Sequence, residues 1–231
     1  MPRGRYLGGS TTVNGGYFVR ARRADFDRWA AAGNPAWAYA RVLPFLRRME
    51  TDLDFGASDL HGGSGPVPIR RGGLGHPAAA AFEAAAAELG FPPEPDKNDQ
   101  ARPGFGPLPG NAVDGMRHNT GVSYLPKALD RPNLTVIGER RVRRVVVSRG
   151  RATGVVVDRG GHRDVLDAAE VVLCAGSFAT PQLLHLSGIG PRRELQRLNL
   201  PVVGRAPAPG ISPPPRPCLR ESRRLSSLPQ G

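Results

Sequence analysis

The sequence predicts an α/β protein, and three features predict it. Residues 24–50 and 77–90 carry apolar side chains at helical spacing, and residues 131–167 alternate with the period of strands. Residues 170–175 (EVVLCA) form an unbroken apolar run that leads through Gly176 into another helical stretch. A strand covered on both faces reads as such a run, so a parallel sheet is expected there.

Residues 4–16 form a glycine-rich turn around Leu7 and Val13, which reads as backbone wrapping closely around something. Helices follow over 24–32 and 36–50, with Trp29, Trp37, Val42, Leu43, Phe45 and Leu46 as expected core and Pro44 expected to kink or interrupt the second. Residues 61–66 make a turn, and 66–71 alternate like an edge strand. Pro77 suits a first helical position, the run AAAAFEAAAAEL has high helix propensity, and Gly90 sits where a left-handed cap belongs. Residues 92–109 read as a long surface loop.

Strands are then expected at 134–137, 141–148, 152–158 and 165–167, with turns at Arg149-Gly150 and Gly160-Gly161. After residues 170–175, Thr180 can cap a helix with Pro181 at its first position, Leu183, Leu184 and Leu186 inside, and Gly188 as its stop. From Gly204 onward the sequence has no apolar period and many prolines and arginines, which predicts a disordered tail.

At 231 residues, with 39% hydrophobic residues, 30 Gly and 24 Pro, the chain is a loop-rich globular sequence able to bury a core. The formal charge of +12 invites a nucleic-acid reading, but the arginines are spread through loops, strands and tail. No stacking aromatics interleave them, so nucleic acid is not an expected partner. Cys174 and Cys218 stand far apart and indicate no disulfide framework. The opening residues lack the apolar core of a signal peptide and no stretch approaches the roughly 18 apolar residues of a membrane span, which predicts a cytoplasmic protein without one. His61, His76, His118, His162 and His185 show no metal spacing, so they read as structural and no metal site is expected.

Two glycine-bearing segments carry the chemistry. The first runs Gly4-Arg5-Tyr6-Leu7-Gly8-Gly9-Ser10-Thr11-Thr12-Val13-Asn14, followed by Gly15-Gly16-Tyr17-Phe18 and later Asp27. The second runs from Gly176-Ser177-Phe178-Ala179-Thr180-Pro181-Gln182 to Gly188-Ile189-Gly190. Together they resemble, in order, the two signatures of the glucose-methanol-choline (GMC) family of flavin-dependent oxidoreductases. Gly33-Asn34-Pro35-Ala36-Trp37, His61-Gly62-Gly63-Ser64-Gly65-Pro66 and Arg131-Pro132-Asn133-Leu134-Thr135-Val136 match further GMC segments, so the resemblance spans roughly residues 3–203. Within the family, the wording is most similar to the mycofactocin-associated GMC proteins.

The resemblance implies an FAD cofactor and oxidation of a small-molecule alcohol to a carbonyl, with hydride passing to flavin N5. Gly8, Gly9, Ser10, Asn14, Gly15, Gly16 and Tyr17 would then cradle the flavin. Val142 would meet adenine through its backbone, and Ala175 and Gly176 would lie near the adenosine. Asn14 is also an ordinary turn residue and Val142 an ordinary strand-core residue, so both readings stay open. The family's G-x-G-x-x-G strand-turn-helix matches nothing here, nor does its C-terminal His base, so no catalytic residue is assigned. The chain thus reads as a fragment expected to bind flavin weakly alone, or as a remnant or split half completed by a partner chain. The electron acceptor is not legible. The implied organisation is a flavin-cradling segment at 1–23, a cap or substrate region at 24–130, the remainder of a Rossmann-like FAD domain at 131–203, and the tail at 204–231.

Overall fold

In a computed structural model of the protein, residues 3–205 are described. The chain divides into two compact units, Met1–Leu134 and Thr135–Gly231. Of the expected tail, Gly204 and Arg205 form a short strand, and residues 206–231 lie outside the described residues.

The first unit opens on a single 3-10 turn, Gly9–Thr12, entered through Gly8 at φ 90°. Helix α1 (Arg23–Ala31) starts where Asp25 reaches back to accept from the Arg22 N–H at 3.0 Å. Helix α2 (Tyr39–Met49) runs unbroken through Pro44, against the expected interruption. Pro44 and Ala40, the residue whose carbonyl loses its partner, both lie on the exposed face, where water can take the missing donor's place. Phe26 and Tyr39 enter the core, whereas Trp29 and Trp37 are 48% and 51% exposed and Phe45 is also half exposed. The two indoles stack edge to face at 5.8 Å, and Trp29 meets Phe26 the same way at 5.4 Å, so these aromatics cover the core from its rim rather than filling it.

Strand β1 (Glu50–Asp52) pairs in parallel with β2 (Val67–Arg71), which pairs antiparallel with the two-residue β3 (Pro109–Gly110). Strand β2 is therefore central, not an edge, and Ile69 on it is fully buried. Pro68 is tolerated because β3 reaches only Arg70 and Arg71, so no partner on that side calls for an N–H from Pro68. Helix α3 (Pro77–Glu88) has Pro77 at its first position, with the His76 ring accepting from the Ala78 N–H at 3.1 Å, and ends at Gly90 at φ 79°, as expected. The segment after it has no regular element but is not a surface loop throughout, since Glu94, Asp96 and Asn98 are buried. The unit closes with the hairpin β4 (Ala112–Val113) and β5 (Met116–Arg117) and the one-turn helix α4 (Thr120–Ser123), capped by Asn119.

The second unit is led by an antiparallel meander of β6 (Arg141–Ser148), β7 (Arg151–Arg159) and β8 (His162–Asp167). Its turns stand at Arg149-Gly150 and Gly160-Gly161, and all four residues have positive φ, between 49° and 91°. A two-residue hairpin that matches strand twist needs that geometry at both positions, which explains why the dipeptides marked the turns. Residues 134–137 form no strand, and neither do residues 170–175, whose Val172 is 75% exposed. No parallel strand flanks that apolar run among the described residues, and a backbone without a pairing partner has no ladder to join. Helix α5 (Gly176–Leu186) begins before Thr180, with Pro181 inside it. The carbonyl freed by Pro181 is that of exposed Ser177 in the first turn, so the interruption is mild.

Gly188 stops α5 at φ 77°, and a Cβ there would lie 2.5 Å from the Pro201 carbonyl oxygen. Beyond it β9 (Ile189–Gly190) pairs in parallel with β10 (Gly204–Arg205) around α6 (Arg192–Arg197), whose Leu195 is fully buried. Ser187 ties α5 to the meander: its hydroxyl donates to the Leu183 carbonyl at 2.6 Å and accepts from the buried Val145 N–H at 2.8 Å. Ser187→Ala is expected to cost about 1–3 kcal/mol by leaving that N–H unpaired. Urea denaturation followed by a probe in this unit will show the shift in midpoint.

Candidate functional site

The glycine-rich segment is held from two sides. Gly8 accepts at its carbonyl from the Thr11 hydroxyl at 2.5 Å and from the Thr120 hydroxyl at 3.2 Å, while Thr11 Oγ1 also takes the Thr120 N–H at 3.1 Å. Helix α4 approaches so closely that a Cβ on Gly8 would fall 2.6 Å from Asn119 Oδ1 and 2.9 Å from the Gly121 nitrogen. On the other flank the Asn111 N–H donates to the Gly16 carbonyl at 2.9 Å and the Phe18 N–H to the Pro109 carbonyl at 2.8 Å. Between these anchors Asn14 folds its side chain back, its Oδ1 accepting from the Gly16 N–H at 3.0 Å and from Arg117 at 2.9 Å.

What the loop leaves open defines what it can hold. Nothing lies within 4 Å of a Cβ built on Gly9, and Tyr17 is 67% exposed. The N–H groups of Gly15 and Tyr17 donate to no atom of the described residues. Asn111 Oδ1 is buried without a partner, 3.1 Å from where a Cβ on Gly16 would stand, and no carboxylate lies within ion-pairing reach of Arg117 among the described residues. Free backbone donors, an orphaned acceptor and an uncompensated guanidinium suit a large polar ligand carrying negative charge. The residues expected to cradle FAD, Gly8, Gly9, Ser10, Asn14, Gly15, Gly16 and Tyr17, make up this segment. Of these, Ser10 is engaged through its hydroxyl only by the Gly4 N–H, at 3.4 Å.

The remaining expected site residues belong to the second unit. Val142 is half exposed on β6 beside a register irregularity, opposite Val157. Ala175 caps α5 and Gly176 opens it at φ 86°, and α5 packs against β6, so one unit carries all three.

Sequence reasoning missed the cluster that supports the first loop. His61, read as a turn residue, is buried, with Nδ1 at 2.8 Å from Glu50 Oε1 and 2.9 Å from Asp52 Oδ2, and Nε2 at 2.7 Å from Asp96 Oδ2. Arg20 pairs with Glu50 at 2.5 Å, and Arg71 reaches Asp52 and Asp96, each at 2.7 Å, while stacking 4.4 Å over the Phe55 ring. Glu50, Asp52 and His61 bring their ligand atoms within 4.8 Å of one another, the spacing of a metal site. Their partners argue otherwise, because both ring nitrogens face carboxylate oxygens and two guanidinium groups already neutralise the acids. Burial opposes charge on His61, but the bonds to Asp96 and Glu50 and the charges of Asp96 and Asp52 raise its pKa to about 9. Burial likewise opposes the charge of Asp96, yet His61, the Asn98 N–H and Arg71 hold its carboxyl well below the usual carboxylate range. Local periodicity carries no trace of this cluster, since its members lie on β1, β2, a turn and an irregular segment.

The GMC oxidoreductase family model matches residues 1–207. The chain belongs to the GMC oxidoreductase family. An uncharacterised GMC-type oxidoreductase from the thcA 5′ region of Rhodococcus erythropolis is 44% identical over 205 residues, covering 88% of this chain and 41% of that protein. Among solved structures, pyridoxine 4-oxidase from Mesorbium loti superposes with TM-score 0.82 at 32% identity over 88% of this chain and 40% of its own. An FAD-dependent oxidoreductase from Chaetomium thermophilum does so with TM-score 0.81 at 28% identity, over 88% and 38%. This GMC chain therefore spans about two fifths of the length of the relatives it matches. Their likeness bears out the α/β reading. Among its described residues no helix is long and apolar enough to cross a membrane.

Proposed function

We propose that the chain is the flavin-cradling part of an FAD-dependent oxidoreductase that converts the CH–OH group of a small-molecule alcohol to a carbonyl. The observation that carries this reading is the loop from Gly8 to Tyr17, pinned at both flanks yet presenting two unspent N–H groups and Arg117 beside the orphaned Asn111 Oδ1. Family membership and the likeness to a pyridoxine 4-oxidase and to an FAD-dependent oxidoreductase support it. Bound FAD would supply the hydride acceptor. The chain's own part is to help seat it, through Ser10, Asn14, Gly15, Gly16 and Tyr17 of the first unit. Placement among the mycofactocin-associated GMC proteins rests on sequence wording alone.

A second reading is that the chain is a non-catalytic piece or acts with a partner chain. Reconstitution with FAD separates the readings. Weak, reversible flavin binding is expected from absorbance after gel filtration, with Gly16→Val abolishing it, since its side chain meets Asn111 and Arg117. A stoichiometric yellow holoprotein would remove the need for completion, and the absence of any flavin-dependent signal would overturn the cradle.

A further inference from the structure

The buried cluster does more than neutralise charge, because its hydrogen bonds close a ring that passes through the backbone of the glycine-rich segment. His61 Nε2 bonds Asp96 Oδ2, and Asp96 Oδ1 accepts from the Asn98 N–H at 3.0 Å. The Asn98 carboxamide then grips residues 18 and 20 as a neighbouring strand would, its Nδ2 donating to the Phe18 carbonyl at 2.9 Å and its Oδ1 accepting from the Arg20 N–H at 2.8 Å. The Arg20 side chain returns to Glu50 Oε1, which faces His61 Nδ1. Asn98, Glu50 and His61 are at most 1% exposed, so water does not substitute for any link.

The protonation of His61 follows from geometry. Carboxylates accept only, so a ring whose two nitrogens both stand 2.7–2.9 Å from carboxylate oxygens must carry a proton on each. Charge balance gives the same answer, for Glu50, Asp52 and Asp96 are offset by Arg20, Arg71 and an imidazolium. Around the ring, Arg71 also touches Asp54 at the rim of the cluster, and Arg47 of α2 donates to the His61 carbonyl at 3.0 Å. A neutral ring would turn a lone pair toward Asp96 or toward Glu50 and Asp52, opening the circuit on one side.

We propose that doubly protonated His61 is a positioning residue for the glycine-rich loop, holding its C-terminal leg, residues 18–20, through Asp96 and Asn98 on one side and Glu50 and Arg20 on the other. The leg is thereby coupled to pH whether or not the loop carries a ligand. His61 binds its proton more tightly in the folded unit than in the unfolded chain, so its contribution is complete below about 6.5 and is lost as pH rises through about 9. The loss amounts to a factor of about 300, the ratio of proton affinities at those two values.

Hydrogen exchange on the full chain, corrected for intrinsic rates, tests this. Protection of a peptide covering residues 16–22 is expected to fall by up to about 150-fold between pH 6.5 and 10, while β6 and β7 keep theirs. Asn98→Ala is expected to remove the protection of residues 16–22 already at pH 7 and to leave β1 and β2 protected. His61→Gln should show low protection without a pH step; if it does not fold, the wild-type profile and Asn98→Ala decide. Protection that persists to pH 10, that falls equally in both units, or that survives Asn98→Ala overturns the proposal.

Discussion

Arg20→Met is expected to lower the stability of the first unit by about 3–5 kcal/mol, a large fraction of the roughly 5–15 kcal/mol that a domain has in total. The methionine fills most of the volume but leaves Glu50, which is fully buried, facing only His61 and the Gly62 N–H at 3.3 Å. The Leu60 carbonyl also loses its donor, now 2.7 Å away. Breaking one side of a buried ion pair costs far more than the pair contributes net, because the remaining charge has no water to return to. Guanidinium titration followed by Trp29 and Trp37 fluorescence, which reports this unit alone, will show the lower midpoint. An unchanged midpoint would mean that Glu50 is not charged in the folded chain.

Gly62→Ala is expected to prevent the first unit from folding. A Cβ at this position would stand 1.8 Å from the Arg47 carbonyl oxygen and 2.6 Å from that of Glu50. Both are backbone atoms at the junction of α2 and β1, so no side-chain rotation relieves the overlap, and moving them would separate β1 from the His61 cluster. Effects beyond about 4–5 kcal/mol arise from such steric or buried-charge mechanisms and no milder ones. Gly72→Ala is the control, since nothing lies within 4 Å of its Cβ, and should change stability by no more than about 0.5 kcal/mol. Near-ultraviolet circular dichroism of the two variants gives the comparison, with the signal lost in Gly62→Ala and kept in Gly72→Ala.

Much of the fold was legible because the features concerned are local. The turns at Arg149-Gly150 and Gly160-Gly161, the Pro77 start and Gly90 end of α3, and the Gly188 stop of α5 each follow from a backbone geometry that one or two residues impose. Errors arose where a second element decides. Residues 170–175 have the composition of a buried strand, but pairing requires flanking strands, and Val172 stands open. Pro44 and Pro181 sit inside helices because the carbonyls they release fall on exposed faces, a property of packing that spacing does not encode.

The candidate site divides along the same line. Gly8 and Gly16 marked a backbone that other segments approach closely, and this was determined by residue type alone: only residues without a Cβ permit Asn119 and Asn111 to come so near. What holds that backbone in place was decided by the tertiary structure. Glu50 read as the end of a helix, His61 as part of a turn, Arg71 as the end of an edge strand and Asp96 and Asn98 as loop, and with Arg20 they become a closed circuit only when β1, β2 and the segment after α3 exclude water from them together. Charge pairing of this kind depends on distance and on the loss of solvent, and neither quantity exists until the chain has folded.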